Sequence, residues 1–253
     1  MSDIELIEYK KTDLSNSLLI VAFPTVGLIS SIAGRYIVEN LKLKEIGAII
    51  SKDFMPATVI RNSRPSPPVR IYAGEKTCGP DGTCEQLAVI ISEFMPPYNI
   101  IKPLADKILE WAEQKGCKAI VSVEGTHAIG EKKKMDVYGI GSNKKMIDFL
   151  KKYKIKNTKD GMITGVNGVL LYQGAITNKD VMCLLSEAKS SIPDSRAAAN
   201  LLGKIDIMLP EIKIDPKPLY KEADLIEKKI HKFLKQSKPT APQLPAEAYR
   251  MYG

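Results

Sequence analysis

Seven consecutive residues, Ser17–Phe23 (SLLIVAF), form a nearly unbroken apolar run that stops at Pro24 and Gly27. A short continuous run closed by turn residues suits a strand buried on both faces. The period then changes. Ile29, Ile32, Ala33, Tyr36 and Ile37 recur on one face of a helix that extends to about Leu41. A strand buried on both sides and followed at once by an amphipathic helix requires a sheet with helices packed against it.

The same grammar continues along the chain. A strand is expected at Ile46–Ser51, then an irregular connection at Met55–Pro68. A hairpin of Val69–Glu75 with Gln86–Ser92 turns about Gly79-Pro80-Asp81-Gly82. Asn99 is read as the cap of a helix running through Trp111 to Lys115, with Gly116 as its stop. Lys118–Glu124 reads as a buried strand, Val137–Gly141 as a short strand and Asn143–Tyr153 as an amphipathic helix. Gly165 and Gly168, flanking Asn167, permit backbone elements to approach closely. Asp180–Glu187 reads as a strand and Asp194 as the cap of the helix Ser195–Ile205. Pro218 opens a last helix carrying Leu219, Ala223, Ile226, Ile230 and Phe233. The fold class is α/β: a three-layer α/β/α sandwich with a mostly parallel central sheet, forming one domain over residues 1–236.

Residues 237–253 are set apart. Pro239, Pro242 and Pro245 each remove a backbone donor and favour extended, polyproline-like chain, so a flexible tail is expected here. The tail ends in Met251, Tyr252 and Gly253: a hydrophobic residue, a tyrosine and any residue, closed by the free carboxylate. Capture of chain termini is a recurrent recognition mode, which makes this triplet the candidate partner-binding element.

Candidate chemistry in the body is sparse. Glu124 and His127 follow a buried strand, where ligands bind in open α/β sheets, and are the candidate acid–base pair. Pro24-Thr25-Val26-Gly27 precedes a helix but lacks the second and third glycines of a dinucleotide fingerprint. No cofactor is expected. No metal is expected either, since the two histidines, His127 and His231, lie far apart in the chain. Cys78 and Cys84 flank the hairpin turn and form either a cross-hairpin disulfide or two free thiols, whereas Cys117 and Cys183 read as small buried apolar residues. The net charge of +8 comes from scattered basic residues and reads as a solvated surface, so no nucleic acid is expected. No apolar run is long enough to cross a bilayer and none marks a secretory signal; no membrane partner and a cytoplasmic location are expected.

Three segments carry a resemblance. AFPTVGLISSIAGRYIVENL near the start, GMITGVNGVLLYQGAI in the middle and PDSRAAANLLGKI later are similar, in order and spacing, to the proteasome-assembly-chaperone family in its archaeal branch. The resemblance covers roughly residues 15–235. Family members often carry an aromatic or acidic residue where this chain has Pro24-Thr25-Val26, which counts against a ligand role for that turn. The resemblance implies a nucleoside-phosphorylase-like sandwich without phosphorylase chemistry. It also implies a homo-oligomer, expected to be a tetramer, and binding to the α ring of the proteasome core particle. Archaeal members with such a terminal triplet look like assembly chaperones or ATP-independent activators, not enzymes. The rival reading is a nucleoside-processing enzyme using Glu124 and His127.

Overall fold

The computed structural model describes residues 4–61, 63–80, 82, 84–127, 136–188 and 193–225. The strands in chain order are β1 (Ile4–Glu8), β2 (Leu18–Ala22), β3 (Lys44–Ser51), β4 (Val59–Arg61), β5 (Arg64–Ser66), β6 (Val69–Ala73) and β7 (Thr77–Cys78). They continue with β8 (Cys84–Glu85), β9 (Leu87–Ser92), β10 (Ala119–His127), β11 (Val137–Gly141), β12 (Lys156–Asn157) and β13 (Val181–Ala188). The helices are α1 (Ile29–Asn40), α2 (Tyr98–Gln114), α3 (Lys144–Lys152), α4 (Gly165–Ile176) and α5 (Ser195–Met208).

Among the described residues one nine-stranded sheet runs in the order β1-β3-β6-β9-β2-β10-β13-β11-β12. Its centre, β9-β2-β10-β13, is parallel, as the two-sided apolar runs require. Antiparallel pairs flank it: β1, β3 and β6 run on from β9 on one side, and β11 pairs with β13 on the other, with β12 parallel to β11 at that edge. Alternation along β2 divides the core. Leu18, Ile20 and Ala22 face α1 and α5, whereas Leu19, Val21 and Phe23 face α2 and α4. The expected α/β/α sandwich is thus formed, with apolar layers on both sides of the sheet.

Local chemistry sets most boundaries. The Asn143 side chain accepts from Met146 N at 3.0 Å and starts α3. Gly116, at φ +68°, ends α2 in the left-handed conformation that its position demands. The Asp194 side chain accepts from Ala197 N at 2.9 Å and caps α5. Asp194→Ala is expected to cost about 1 kcal/mol, lowering the melting temperature by about 2–4 °C; differential scanning calorimetry reads this directly.

Three expectations change. Asn99 is not the cap of α2: the helix begins at Tyr98 with Pro97 as its N-cap, because Ile100 N already bonds to Pro97 O at 3.1 Å. The connection at 55–68 contains the small β4–β5 ladder. The strand β1 at the N-terminus pairs with β3 and was not foreseen. Residues 217–225 are helical, with Leu219 buried against the α1/α5 side and Ala223 also buried, while Ile226, Ile230 and Phe233 lie outside the described residues.

Candidate functional site

Met251, Tyr252 and Gly253 lie outside the described residues, as does the rest of the Pro-rich tail. The candidate residues of the body are placed in detail. Cys78 and Cys84 are opposite partners in the β7–β8 ladder, which is the register a cross-hairpin bond needs. Cys78 is disulfide-bonded, while Cys117 and Cys183 are free. Burial raises the Cys117 and Cys183 thiols above their ordinary value; Cys183 is the buried core residue expected, while Cys117 is only partly buried at the core's edge.

Glu124 and His127 both sit on β10, but three residues apart on a strand means opposite faces. His127 is exposed and borders a cavity of about 920 Å³ with Tyr138, Tyr172 and Glu187. Glu124 lies on the α2/α4 side and borders a separate cleft of about 360 Å³. The structure therefore does not bring them together as an acid–base pair. Glu124 instead meets Asn167 on α4, whose Nδ2 donates to Glu124 Oε2 at 3.0 Å and to Val123 O at 3.3 Å. Asn167 is only 3% exposed. Nothing nearby in sequence signals this contact, although a buried Asn in GVNGVLLYQGAI, a helix without charges, is a local anomaly.

The turn after β2 closes one side of this cleft. Thr25 Oγ1 accepts from Gly125 N at 2.9 Å and lies 2.7 Å from Ser30 Oγ. Leu28 N bonds to Thr25 O and Ile29 N to Val26 O, so these turn groups are committed within the protein. That accounts for the turn as structure, with its hydroxyl used as a brace for β10.

Burial pushes the Glu124 carboxyl above its ordinary range, with the Asn167 hydrogen bond opposing the shift. The native state thus holds this proton more tightly than the unfolded chain. Stability falls as pH rises from the unfolded value, about 4.3, through the raised native value. Glu124→Gln removes the penalty of burying a charge and keeps an oxygen for Asn167. The variant is expected to gain about 1 kcal/mol at pH 7.5 and almost nothing at pH 4, as read from urea unfolding at the two pH values. An equal effect at both would contradict the raised carboxyl.

No group of three or more His, Cys, Asp or Glu side chains suited to a metal occurs among the described residues. No helix among them is long and apolar enough to cross a membrane.

Comparison with known proteins adds an independent line. Residues 19–234 match the model of the PAC2 family. An uncharacterized protein of Methanocaldococcus jannaschii, MJ0106, is 33% identical over 236 residues, covering 93% of each chain. The crystal structure of Pyrococcus furiosus PbaA, described as an archaeal homolog of proteasome-assembly chaperone, superposes with a TM-score of 0.80 at 27% identity, covering 92% of each chain. Pyrococcus furiosus PbaB, described as an archaeal proteasome activator, superposes with a TM-score of 0.79 at 22% identity, covering 92% of this chain and 99% of that one.

Proposed function

We propose a proteasome-directed role from one premise: the chain belongs to the PAC2 family. On this reading the protein is a non-enzymatic assembly chaperone or ATP-independent activator. It docks Met251, Tyr252 and Gly253 into pockets between neighbouring α subunits of the core particle. The observation that carries the reading is the terminal triplet itself, on a chain 27% identical to a structure described as a proteasome-assembly-chaperone homolog. The division of Glu124 and His127 between two cavities weakens the nucleoside-processing alternative.

In the proposed complex the Gly253 carboxylate pairs with a lysine of the pocket. Tyr252 supplies ring packing and a phenolic hydrogen bond, and Met251 fills an apolar niche to which its flexible side chain adapts. One tail binds weakly. A cytoplasmic homo-oligomer, proposed as a tetramer, presents several tails, and tethering makes each later docking event intramolecular. About 15 residues of extended spacer at about 3.1 Å each reach roughly 45 Å. Activation of a mature particle further requires that the tails bind its open gate more tightly than its closed one.

The test is peptidase activity and native-gel mobility of purified archaeal core particle with the full-length protein. Tyr252→Ala is expected to weaken binding by roughly tenfold or more, in line with loss of a buried aromatic anchor. Tyr249→Ala is expected to change it less than about twofold, as a contact outside the anchor. Equal losses at the two positions would point to diffuse aromatic contact.

A further inference from the structure

A hollow of about 680 Å³ opens between the end of α1, strands β3 and β6, and the β4–β5 hairpin. Its lining is charged: Lys42, Arg61 and Arg64 against Glu39 and Glu45, with the hydroxyl-bearing Ser66 and Tyr72. Arg61 and Arg64 are opposite partners in the β4–β5 ladder, so their side chains leave it on one face. Like charges directly opposite each other are destabilising, and strands of three residues have little to offset them. Lys42 and Arg64 are exposed and form no ion pair among the described residues, and the Arg61 side chain is 30% exposed. All three cations are therefore open to a ligand in the hollow.

Arg61 is the informative residue. Its guanidinium lies 3.7 Å from Glu93 Oε1 and 4.0 Å from Glu39 Oε1, both beyond hydrogen-bond length. Glu93 is already taken: the wholly buried Arg70 holds Oε1, and Arg35 donates to Oε2 at 3.2 Å. Glu45 is engaged as well, since Ser66 Oγ donates to its two oxygens at 3.0 and 3.2 Å and Tyr72 Oη stands 3.4 Å from one of them. A guanidinium carries five N–H donors in a planar fork and keeps its charge at every ordinary pH. None of those on Arg61 makes a hydrogen bond among the described residues. The last carbonyls of α1 are closed off, because Ile37 O, Val38 O and Glu39 O accept from Leu41 N, Leu43 N and Lys42 N. With the neighbouring Arg35, Arg70 and Glu93 included, five cations meet three carboxylates, a surplus of two positive charges.

We propose that this hollow binds a phosphate dianion, free or as a small monoester, held by Arg61 and Arg64 together with Lys42. Two guanidiniums on one face present paired N–H donors to tetrahedral oxygens, the arrangement that makes Arg a phosphate ligand. The two negative charges of the dianion answer the surplus of the surroundings. The body of a monoester packs against Leu43 and Pro65. The inference is independent of the proteasome reading, because nothing in the hollow involves the tail.

Inorganic phosphate, phenyl phosphate and phenyl sulfate are the probes. They are titrated into the full-length protein by calorimetry at fixed ionic strength and about pH 7.5, above the second phosphate pKa of about 6. Saturable binding of phenyl phosphate is expected, with the singly charged phenyl sulfate at least about tenfold weaker for want of one charge-assisted contact. Inorganic phosphate binding at least as tightly as phenyl phosphate would identify free phosphate as the ligand, and weaker binding a monoester; both results support the site. Arg61→Gln and Arg64→Gln are each expected to weaken phenyl phosphate about tenfold. Arg64→Gln breaks no ion pair and relieves the opposition to Arg61, so its melting temperature without ligand should not fall. This keeps the test decisive if Arg61→Gln disturbs the hairpin. Lys144→Gln makes the same change of charge at an exposed position on α3 and should leave binding unchanged. Absence of saturable binding by both phosphates, phenyl sulfate as tight as phenyl phosphate, or equal losses in Lys144→Gln and Arg64→Gln would each overturn the proposal.

Discussion

A chain ending at Arg250 is expected to lose core-particle binding while keeping its fold, its melting temperature and its oligomeric state. The asymmetry follows from where the residues lie. Among the described residues the buried core runs from Leu14 to Ala223, and the docking reading gives the last three positions to the partner. Avidity sets the size of the effect. Several tethered weak contacts raise apparent affinity by about 10²–10⁴-fold over one, so removing all tails at once is expected to cost at least about a hundredfold. A native-gel shift visible at micromolar full-length protein should then vanish. A sharper version leaves every native side chain in place and adds one residue after Gly253. The carboxylate moves by about 3.3 Å, too far for a charge-assisted hydrogen bond, and binding should fall nearly as much as on deletion. If the extended chain binds normally while the truncated one does not, side chains and not the carboxylate anchor the tail. Undiminished binding by both would place the contact on the body and remove the basis of the docking model.

The parts of this fold that were legible are those in which local pattern and burial coincide. β2, α1 and β11 lie where apolar runs and helical spacing put them, because the two strands meet apolar layers on both sides of the sheet and α1 lays one apolar face on it. Asn143 and Asp194 cap the helices that follow them, since an N-cap is a bond over three residues and needs nothing distant. β1 escaped notice for the opposite reason. Its sequence, IELIE, alternates with two acids and reads as a strand only once β3 is beside it as a partner. Asn99 misled because Pro97 had already supplied the fixed φ that starts the helix. The cleft was half legible. Glu124 was picked out by its place at a strand end, but its partner stands 43 positions away on α4, and His127, of opposite strand parity, borders a different cavity. Strand parity alone separates Glu124 from His127, once β10 is seen to run through to His127 instead of ending at Glu124.

Gly125→Ala is expected to be the most damaging small substitution in the body. Gly125 sits in β10, which is locked between β2 and β13 by parallel ladders on both sides. A Cβ at this position would lie 2.0 Å from Val26 O and 3.0 Å from Ile29 Cδ1. The nearer atom is backbone and is not free to move. Val26 O accepts from Ile29 N at the start of α1, and the same turn is tied to α5 through Asp194 N, which donates to Gly27 O at 2.9 Å. Relief would have to come from separating the turn from the strand, which would also break the 2.9 Å bond from Gly125 N to Thr25 Oγ1. Overpacking of this kind costs about 3 kcal/mol, equivalent to a fall of about 6–12 °C in melting temperature. Gly82→Ala serves as the control for backbone conformation. Gly82 has φ +80°, but a Cβ there meets nothing within 4 Å among the described residues. Its cost should stay near 1 kcal/mol, from strain alone. A Gly125→Ala variant melting within about 2 °C of the parent, less than 1 kcal/mol, would show that turn and strand have room to separate. Below its melting point the variant should still bind core particle through the tail, because the overpacked turn lies in the body of the fold.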